Sequence, residues 1–265
     1  MEKQRADVAL CLCGLCESRS KARALIKEGQ ALLDGVPIDK PSTLVPVDGS
    51  FSLGCGASLD VSRAGQKLRA AMEAFAVDPK GKVFADIGAS TGGFTQCLLE
   101  YGAVKVYAVD VGKDQLHKSL REDGRVVNME GTNARELTKE DFPDKIEGAV
   151  MDVSFISQTL IYPALARILS EGAPLVTLIK PQFEAGRSQV GKKGIVRDPA
   201  VHKEVIENVI RYGEDNGLYS HGLTFSPVTG TKGNIEYLLY MRKDKPEEMP
   251  DIDKIVSDSH KELKG

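Results

Sequence analysis

The stretch from Lys82 to Phe94, KVFADIGASTGGF, constrains the fold of this chain more than any other. It opens with an apolar run, Val83-Phe84-Ala85, that reads as a buried strand ending at Asp86. Small residues fill the segment from Gly88 to Gly93, and Phe94 to Leu99 then carries helical spacing. Strand, glycine loop and helix form the first turn of a doubly wound α/β sheet, the place where such sheets take their ligands. Glycine there permits positive φ and lets a ligand approach the backbone. Taken alone, such a loop also serves nucleotides, flavins or plain packing. DxGxSxGG is not the GxGxxG of nicotinamide sites, and no GK[ST] follows to make a phosphate loop.

The next strand, Val104 to Val109, ends in Asp110. That acid lies about 20 residues on, where a carboxylate can hold ribose hydroxyls or cap the following helix. An acid closing each of the first two strands resembles the S-adenosylmethionine (SAM) methyltransferases. The resemblance implies SAM as cofactor, with Asp86, Gly88, Ala89, Ser90, Gly92, Gly93 and Phe94 around its methionine part and Asp110 and Val111 at its ribose.

Alternation continues along the chain. A helix leads from Ser62 to Phe75, another spans 114–120, and a short strand spans 125–128. Gly148 to Asp152 reads as a fourth strand, Leu160 to Leu169 as a helix with Ser157 as a possible cap, and Leu175 to Lys180 as a fifth strand. In the long helix Val201–Asn216, Val205, Val209 and Tyr212, flanked by Ile206 and Ile210, give the core stripe. Segments 218–228 and 235–242, joined only by a loop, are expected to pair antiparallel and close the sheet. Strands alternating with helices predict a mainly parallel sheet.

With 265 residues, the chain has room for a small domain beside a mid-sized one. The expected division is a small α+β module over 1–53, a small-residue linker over 54–62, an α/β domain over 63–243 and a charged tail over 244–265. Ile252, Ile255 and Val256 in that tail suit either a short docked helix or a frayed end. A net charge of -3 excludes coating nucleic acid through bulk charge, so any RNA contact must come from local patches. No apolar run approaches the ~18 residues of a membrane span, and no signal-peptide core follows Met1–Arg5, so the expected location is the cytoplasm. Cys11, Cys13 and Cys16 fall in an apolar helical run and are expected as thiols, not as metal ligands.

Within the first module, Ser18 suits the N-cap of a helix over 19–28, stopped by Gly29 after an earlier break at Gly14. Ala22, Leu25 and Ile26 form the apolar face of that helix; Arg19, Arg23 and Lys27 share one flank. Ala31-Leu32-Leu33, Asp34-Gly35 and Val36-Pro37-Ile38 read as a hairpin. Arg5-x-Asp7, ESRSKARALIKEG and ALLDGVPIDKPS resemble the S4 RNA-binding domain. The resemblance implies that the basic helix face and hairpin meet RNA phosphates, with Arg5, Arg19, Arg23 and Lys27 as contacts. The module holds seven basic and seven acidic residues over 1–59, so a solvated charge face is the plainer alternative.

In a parallel sheet the strand C-termini line one cleft. Asp152 and Lys180, isolated charges just after apolar runs, are therefore expected beside the glycine loop. Together with Lys67 and Glu236 they match the K-D-K-E tetrad of the FtsJ-like ribose 2′-O-methyltransferases. SRAGQKL, DIGASTGGFT, MDVSFIS, IKPQFEAGR, VGKKGIVRDP and GNIEY resemble the TlyA branch of that family, whose members also carry a haemolysin A-like label. One departure is Ala64, where the family pattern has a second glycine. The resemblance implies a Rossmann-like methyltransferase domain preceded by an S4-like domain. It implies methylation of ribose 2′-hydroxyls in ribosomal RNA, at cytidine in the small-subunit RNA, the large-subunit RNA or both. Free rRNA or ribosomal subunits would be the partner, and no membrane would be involved.

The chemistry asks for such a set. A ribose hydroxyl is a poor nucleophile, and alignment with the methyl carbon and sulfur alone contributes roughly 7–11 kcal/mol. A lysine accepts the proton only when neutral. The expectation is Lys180 as proton acceptor, Asp152 and Lys67 orienting it and the hydroxyl, and Glu236 completing the network. The basic loop after Lys180, with Arg187, Lys192, Lys193 and Arg197, is expected to grip RNA phosphates or close over the substrate, and Arg63 to contribute from the linker side. The competing expectation is an RNA-binding ribosome-assembly factor with a vestigial SAM fold.

Overall fold

Two units divide the chain, Met1–Leu59 and Asp60–Gly265. The structure, a computed structural model, describes residues 3–13, 15–16, 18–27, 31–47, 49–53, 64–230 and 232–263, without the side chains at 21, 24, 27, 52 and 53. The expected linker, the helix breaks at Gly14 and Gly29, the Lys27 side chain and Arg63 lie outside the described residues.

In the small unit β1 (Lys3–Arg5) runs into α1 (Ala6–Leu12), and α2 (Arg19–Lys27) follows. Four short strands come next: β2 (Ala31–Leu33), β3 (Val36–Pro37), β4 (Leu44–Pro46) and β5 (Phe51–Leu53). β1 pairs with β4, and β2 pairs with both β3 and β5, all antiparallel. The β2–β3 hairpin turns on Asp34 (φ 50) and Gly35 (φ 80). Two left-handed residues make the turn whose twist matches the strands, and Asp-Gly adopts it with little strain. Ala22, Leu25 and Ile26 of α2 pack with Ala6, Ala9 and Leu10 of α1 and with Val45 of β4.

The large unit begins with α3 (Ala64–Phe75), β6 (Val83–Ile87), α4 (Gly93–Glu100), β7 (Lys105–Asp110), α5 (Lys118–Arg121) and β8 (Val126–Glu130). It continues with β9 (Gly148–Met151), α6 (Tyr162–Ile168), β10 (Leu175–Ile179), α7 (Pro181–Glu184), α8 (Pro199–Asp215), β11 (Tyr219–Phe225), β12 (Tyr237–Arg242) and α9 (Ile252–Glu262). The seven strands lie in the order β11-β12-β10-β9-β6-β7-β8. β12 runs antiparallel to both its neighbours, and the pairs from β10 to β8 are parallel.

Successive strand residues feed opposite faces, as the pleat requires. Phe84, Val106, Val150, Val176 and Leu238 join Leu68 and Met72 of α3 and Phe94 and Leu98 of α4. Ala85, Tyr107, Ala149, Leu175 and Leu239 join Leu165 of α6 and Val205 and Ile206 of α8. A sheet covered on both sides explains why its strands read as nearly continuous apolar runs. The chain leaves β6 toward β7 and β8, then returns to β9 on the other side, so its topological switch point lies between β6 and β9.

Three expectations change. The helix expected over 114–120 shrinks to α5, because Asp114 takes φ 56 and the Glu130 carboxylate accepts from the backbone N–H of Gln115 and Leu116, holding that segment as a loop. Ser157 caps a short turn over Gln158–Leu160 ahead of α6. Tyr212 is 49% exposed, so the core stripe of α8 runs through Val205, Ile206, Val209 and Ile210 without it. The tail forms α9, with Val256 buried and Ser259 Oγ 3.0 Å from the Tyr237 hydroxyl.

Candidate active site

The switch point is where the site assembles. Gly88 sits just past β6 with φ +82, and a Cβ there would meet the Asp152 carbonyl oxygen at 2.8 Å. Only glycine satisfies both the backbone angle and the contact. The glycine loop and the end of β9 therefore touch backbone to backbone. A cavity of about 660 Å³ opens beside them, lined by Gly88, Ser90, Asp110, Val111, Asn133 and Asp152 among others. That size and mixed lining suit a nucleoside-bearing cofactor. Asp110 stands at the rim, where its two oxygens accept from the backbone N–H of Ser90 (2.8 Å) and Gly112 (2.7 Å).

The other loop residues divide by position. Ala89, Gly93 and Phe94 line a second, smaller cavity of about 200 Å³. Gly92 (φ +98) packs on Leu120, where any Cβ would clash. Asp86 lines none of these cavities. It is fully buried beneath the loop, accepts from Thr95 Oγ1 at 2.6 Å, and its second oxygen has no hydrogen-bond partner among the described residues. Burial, reinforced by nearby Asp152, pushes its carboxyl up to about 7. In this position Asp86 supports the loop from below.

The four charged residues matching the K-D-K-E pattern come together from four elements of the fold. Asp152 follows β9 and Lys180 follows β10, which are parallel neighbours. Because β12 is antiparallel, its first residue Tyr237 pairs with Ile179, which sets Glu236 beside the same sheet edge. Lys67 reaches in from the first turn of α3. Lys67 Nζ lies 2.5 Å from Glu236 Oε2, and Lys180 forms an ion pair with Asp152. Lys67 thus pairs with Glu236 rather than contributing directly to Lys180, and the tetrad is two balanced ion pairs. Lys67, Lys180 and Glu236 are all under a tenth exposed. Buried charges of this kind persist only when paired.

The tetrad lines a further cavity of about 630 Å³, together with Ser154, Phe155, Gln182, Lys232 and Asn234. Asp152, Ser154 and Phe155 belong to both this cavity and the 660 Å³ one. Phe155 is 91% exposed at φ 64, a backbone angle rare for a bulky residue. Its ring centroid lies 5.0 Å from that of Phe183. Glu184 ties the two segments together by accepting from Ser157 Oγ (2.6 Å) and Gln158 N–H (2.9 Å); burial raises its carboxyl.

The basic loop is a pinned turn. The Asn234 side chain accepts from Val196 N–H (3.0 Å) and donates to the Gly194 carbonyl (2.9 Å). Val190 and Gly194 line the tetrad cavity, whereas Arg187, Lys192, Lys193 and Arg197 are exposed and do not; Lys232 is the lysine outside the tetrad that lines it. Within the segments MDVSFIS and GNIEY the sequence points to Asp152 and Glu236 as site residues, and Ser154, Phe155 and Asn234, like Lys232, join them only in the fold. Membership of those segments, beside Asp152 and Glu236, is the signal that points to the first three.

In the small unit, Arg5, Arg19 and Arg23 converge on Asp7, at 2.9, 3.2 and 2.9 Å. The carboxylate is fully buried, and the guanidiniums, Arg5 first, hold it far below the usual carboxylate range. The arginines themselves are about half exposed and leave a local excess of positive charge. Among the described residues no group of three or more His, Cys, Asp or Glu side chains is placed to hold a metal ion.

A seven-stranded sheet with one antiparallel strand, a glycine loop at its switch point and a carboxylate closing the second strand define a SAM-dependent methyltransferase. The chain belongs to the FtsJ-like methyltransferases, whose family model matches residues 61–243; the S4 domain model matches residues 4–49. Curated relatives place it in the TlyA group. The 16S/23S rRNA (cytidine-2'-O)-methyltransferase TlyA of Mycobacterium tuberculosis is 43% identical over 91% of this chain and 90% of that one. Hemolysin A of Brachyspira hyodysenteriae is 44% identical over 86% of this chain and 95% of its own. A solved structure of a hemolysin-like protein from Streptococcus thermophilus gives a TM-score of 0.75 at 42% identity, covering 99% of this chain and 98% of that one.

Proposed function

We propose that this chain methylates the ribose 2′-hydroxyl of a cytidine in ribosomal RNA, free or within a ribosomal subunit. The reading rests on one observation: the cavity suited to the cofactor and the cavity lined by the tetrad share Asp152, Ser154 and Phe155. A methyl donor and a hydroxyl held one in each would meet at that boundary. When bound, SAM would supply an electrophilic methyl carbon on a sulfonium, with the sulfur as the leaving group that takes the electron pair of the broken carbon–sulfur bond.

The residues of the chain do the rest. Gly88 and Ser90 would cradle the cofactor, and Asp110 and Val111, which line the same cavity, would hold its ribose. Lys180, in its neutral form, takes the hydroxyl proton, and Asp152 stabilises the ammonium that results. Lys67 and Glu236 line the same cavity as Lys180, where Lys67 would meet the ribose oxygens. Phe155 with Phe183 offers an exposed aromatic surface on which an unstacked base can lie, as single-stranded recognition requires. Lys232 and the exposed cations of the 187–197 loop meet the flanking phosphates, and the arginines around Asp7 meet RNA from the S4 domain.

The test is transfer of labelled methyl from SAM to unmodified 16S rRNA, 23S rRNA and both purified subunits, with Lys180→Ala alongside. Label in RNA that vanishes in the variant supports the reaction and the role of Lys180 together. SAM binding without transfer to any of these substrates would favour the assembly-factor reading. No described helix is long and apolar enough to cross a membrane.

A further inference from the structure

Resting on that reading, we propose that Ser154 is a positioning residue of the transfer step: its hydroxyl aims the Lys180 amine at the ribose oxygen. Lys180 Nζ donates to Ser154 Oγ at 2.8 Å. Coulomb attraction to Asp152 fixes the distance of the amine but is nearly indifferent to its rotation. A hydrogen bond is directional and sets the angle. A tetrahedral nitrogen has three directions besides its carbon. Asp152 takes one and Ser154 takes a second, which leaves one for the incoming hydroxyl.

The location agrees. Ser154 borders the cofactor-sized cavity, the tetrad cavity and the smaller cavity of about 200 Å³ that also touches Gly88 and Lys180. Methyl carbon and attacking oxygen must come together where these spaces join. The segment carrying Ser154 is fixed at both ends. On one side Asp152 N–H donates to the Ile87 carbonyl at 3.0 Å. On the other, Ser157 and Gln158 are held by Glu184, four residues beyond Lys180, so the serine and the amine it aims share one support. A serine hydroxyl oxygen accepts an N–H from the amine in both its neutral and its ammonium state, which leaves the lone pair of the neutral amine for the hydroxyl proton.

In the transfer step the 2′-oxygen bonds to the methyl carbon and its proton passes to Lys180 Nζ. Ser154 neither gains nor loses a proton overall. Its removal should therefore slow the step without weakening either ligand. The experiment is single-turnover methyl transfer from SAM to unmodified ribosomal subunits by the full chain, comparing wild type, Ser154→Ala, Ser154→Thr and Lys180→Ala, with SAM binding followed by calorimetry and folding by thermal melting.

The expected result is a ~10- to 100-fold slower transfer by Ser154→Ala, the scale of a misplacement of about 1 Å. SAM affinity, half-saturating subunit concentration and melting temperature stay at wild-type values. Ser154→Thr, which keeps the hydroxyl, restores most of the rate. An active wild type and inactive Lys180→Ala, with Ser154→Ala at the wild-type rate, would overturn the proposal and leave the function intact. A Ser154→Ala loss traced wholly to SAM affinity or to melting would also overturn it. An inactive wild type that binds SAM would instead remove the function reading on which the proposal rests.

Discussion

Asp7 and Asp86 are both fully buried aspartates, one in each unit, and their surroundings push them in opposite directions. Asp7 is enclosed by three guanidiniums and stays ionised far into acid. Asp86 has one hydroxyl donor and, among the described residues, no cation paired with it, and burial lifts it to about 7. Depth alone therefore decides neither charge nor contribution to stability; the partners do. The tetrad repeats the lesson at the candidate active site, where each acid has its own lysine. Where positive charge outnumbers negative, as around Asp7, the surplus faces outward. Where the two balance, the cluster can sit against a reacting centre with little net field.

The largest expected effect breaks a balanced pair. Lys180→Ala should lower single-turnover methyl transfer by ~10²- to 10⁴-fold, the range for loss of a proton acceptor, with SAM affinity kept. Near-normal transfer would show that Asp152 needs no lysine for the chemistry.

The two aspartates should then separate by pH in urea unfolding of the full chain. Asp86 holds its proton in the fold between pH ~4 and ~7 while the unfolded chain releases it, so its presence makes stability fall as pH rises through that window and level off above it. Asp86→Asn should remove up to a few kcal/mol of that fall, seen as a flatter stability profile. For Asp7 the sign reverses. Its folded carboxylate resists protonation, so its contribution is present above the unfolded value near ~4 and is lost as pH falls below it. Asp7→Asn should lower stability at neutral pH by about 1–2 kcal/mol, because three half-exposed arginines lose their shared anion. Equal pH profiles for the two variants would erase the contrast between them.

The smallest effect sharpens the surplus-charge side. Arg19→Ala or Arg23→Ala should weaken RNA affinity and reduce the salt slope of binding by about 1, with the transfer rate at saturating RNA unchanged. A salt slope identical to wild type would mean that these arginines serve Asp7 alone.

Much of the sheet was legible because burial on both faces turns strands into apolar runs, as in Leu175–Ile179, and because glycines punctuate the turns. The antiparallel closing strand followed from the short connection into Tyr237–Arg242. Helical pattern misled at 114–120, where a distant carboxylate, Glu130, claims the backbone N–H groups. It misled again at Tyr212, which carries an apolar body on a solvent-facing position. The charged residues of the candidate site stood out as polar interruptions at strand ends. Their pairing did not, since which lysine meets which acid depends on strand order. Ser154, Phe155 and Asn234 have no periodicity to betray them; loops are organised by tertiary contacts that a local pattern does not encode. The meeting of Arg5, Arg19 and Arg23 on one carboxylate is likewise a product of α1 and α2 packing together.

The contact of Gly88 with the Asp152 carbonyl carries one more consequence. No rotamer stands between the loop that would cradle the methyl donor and the strand end that bears the acid partner of the base. The two halves of the reaction are registered main chain to main chain, like two jaws cut from one plate. Side chains around them can drift over generations without changing that gauge, whereas a single added methyl group at position 88 would force the jaws apart.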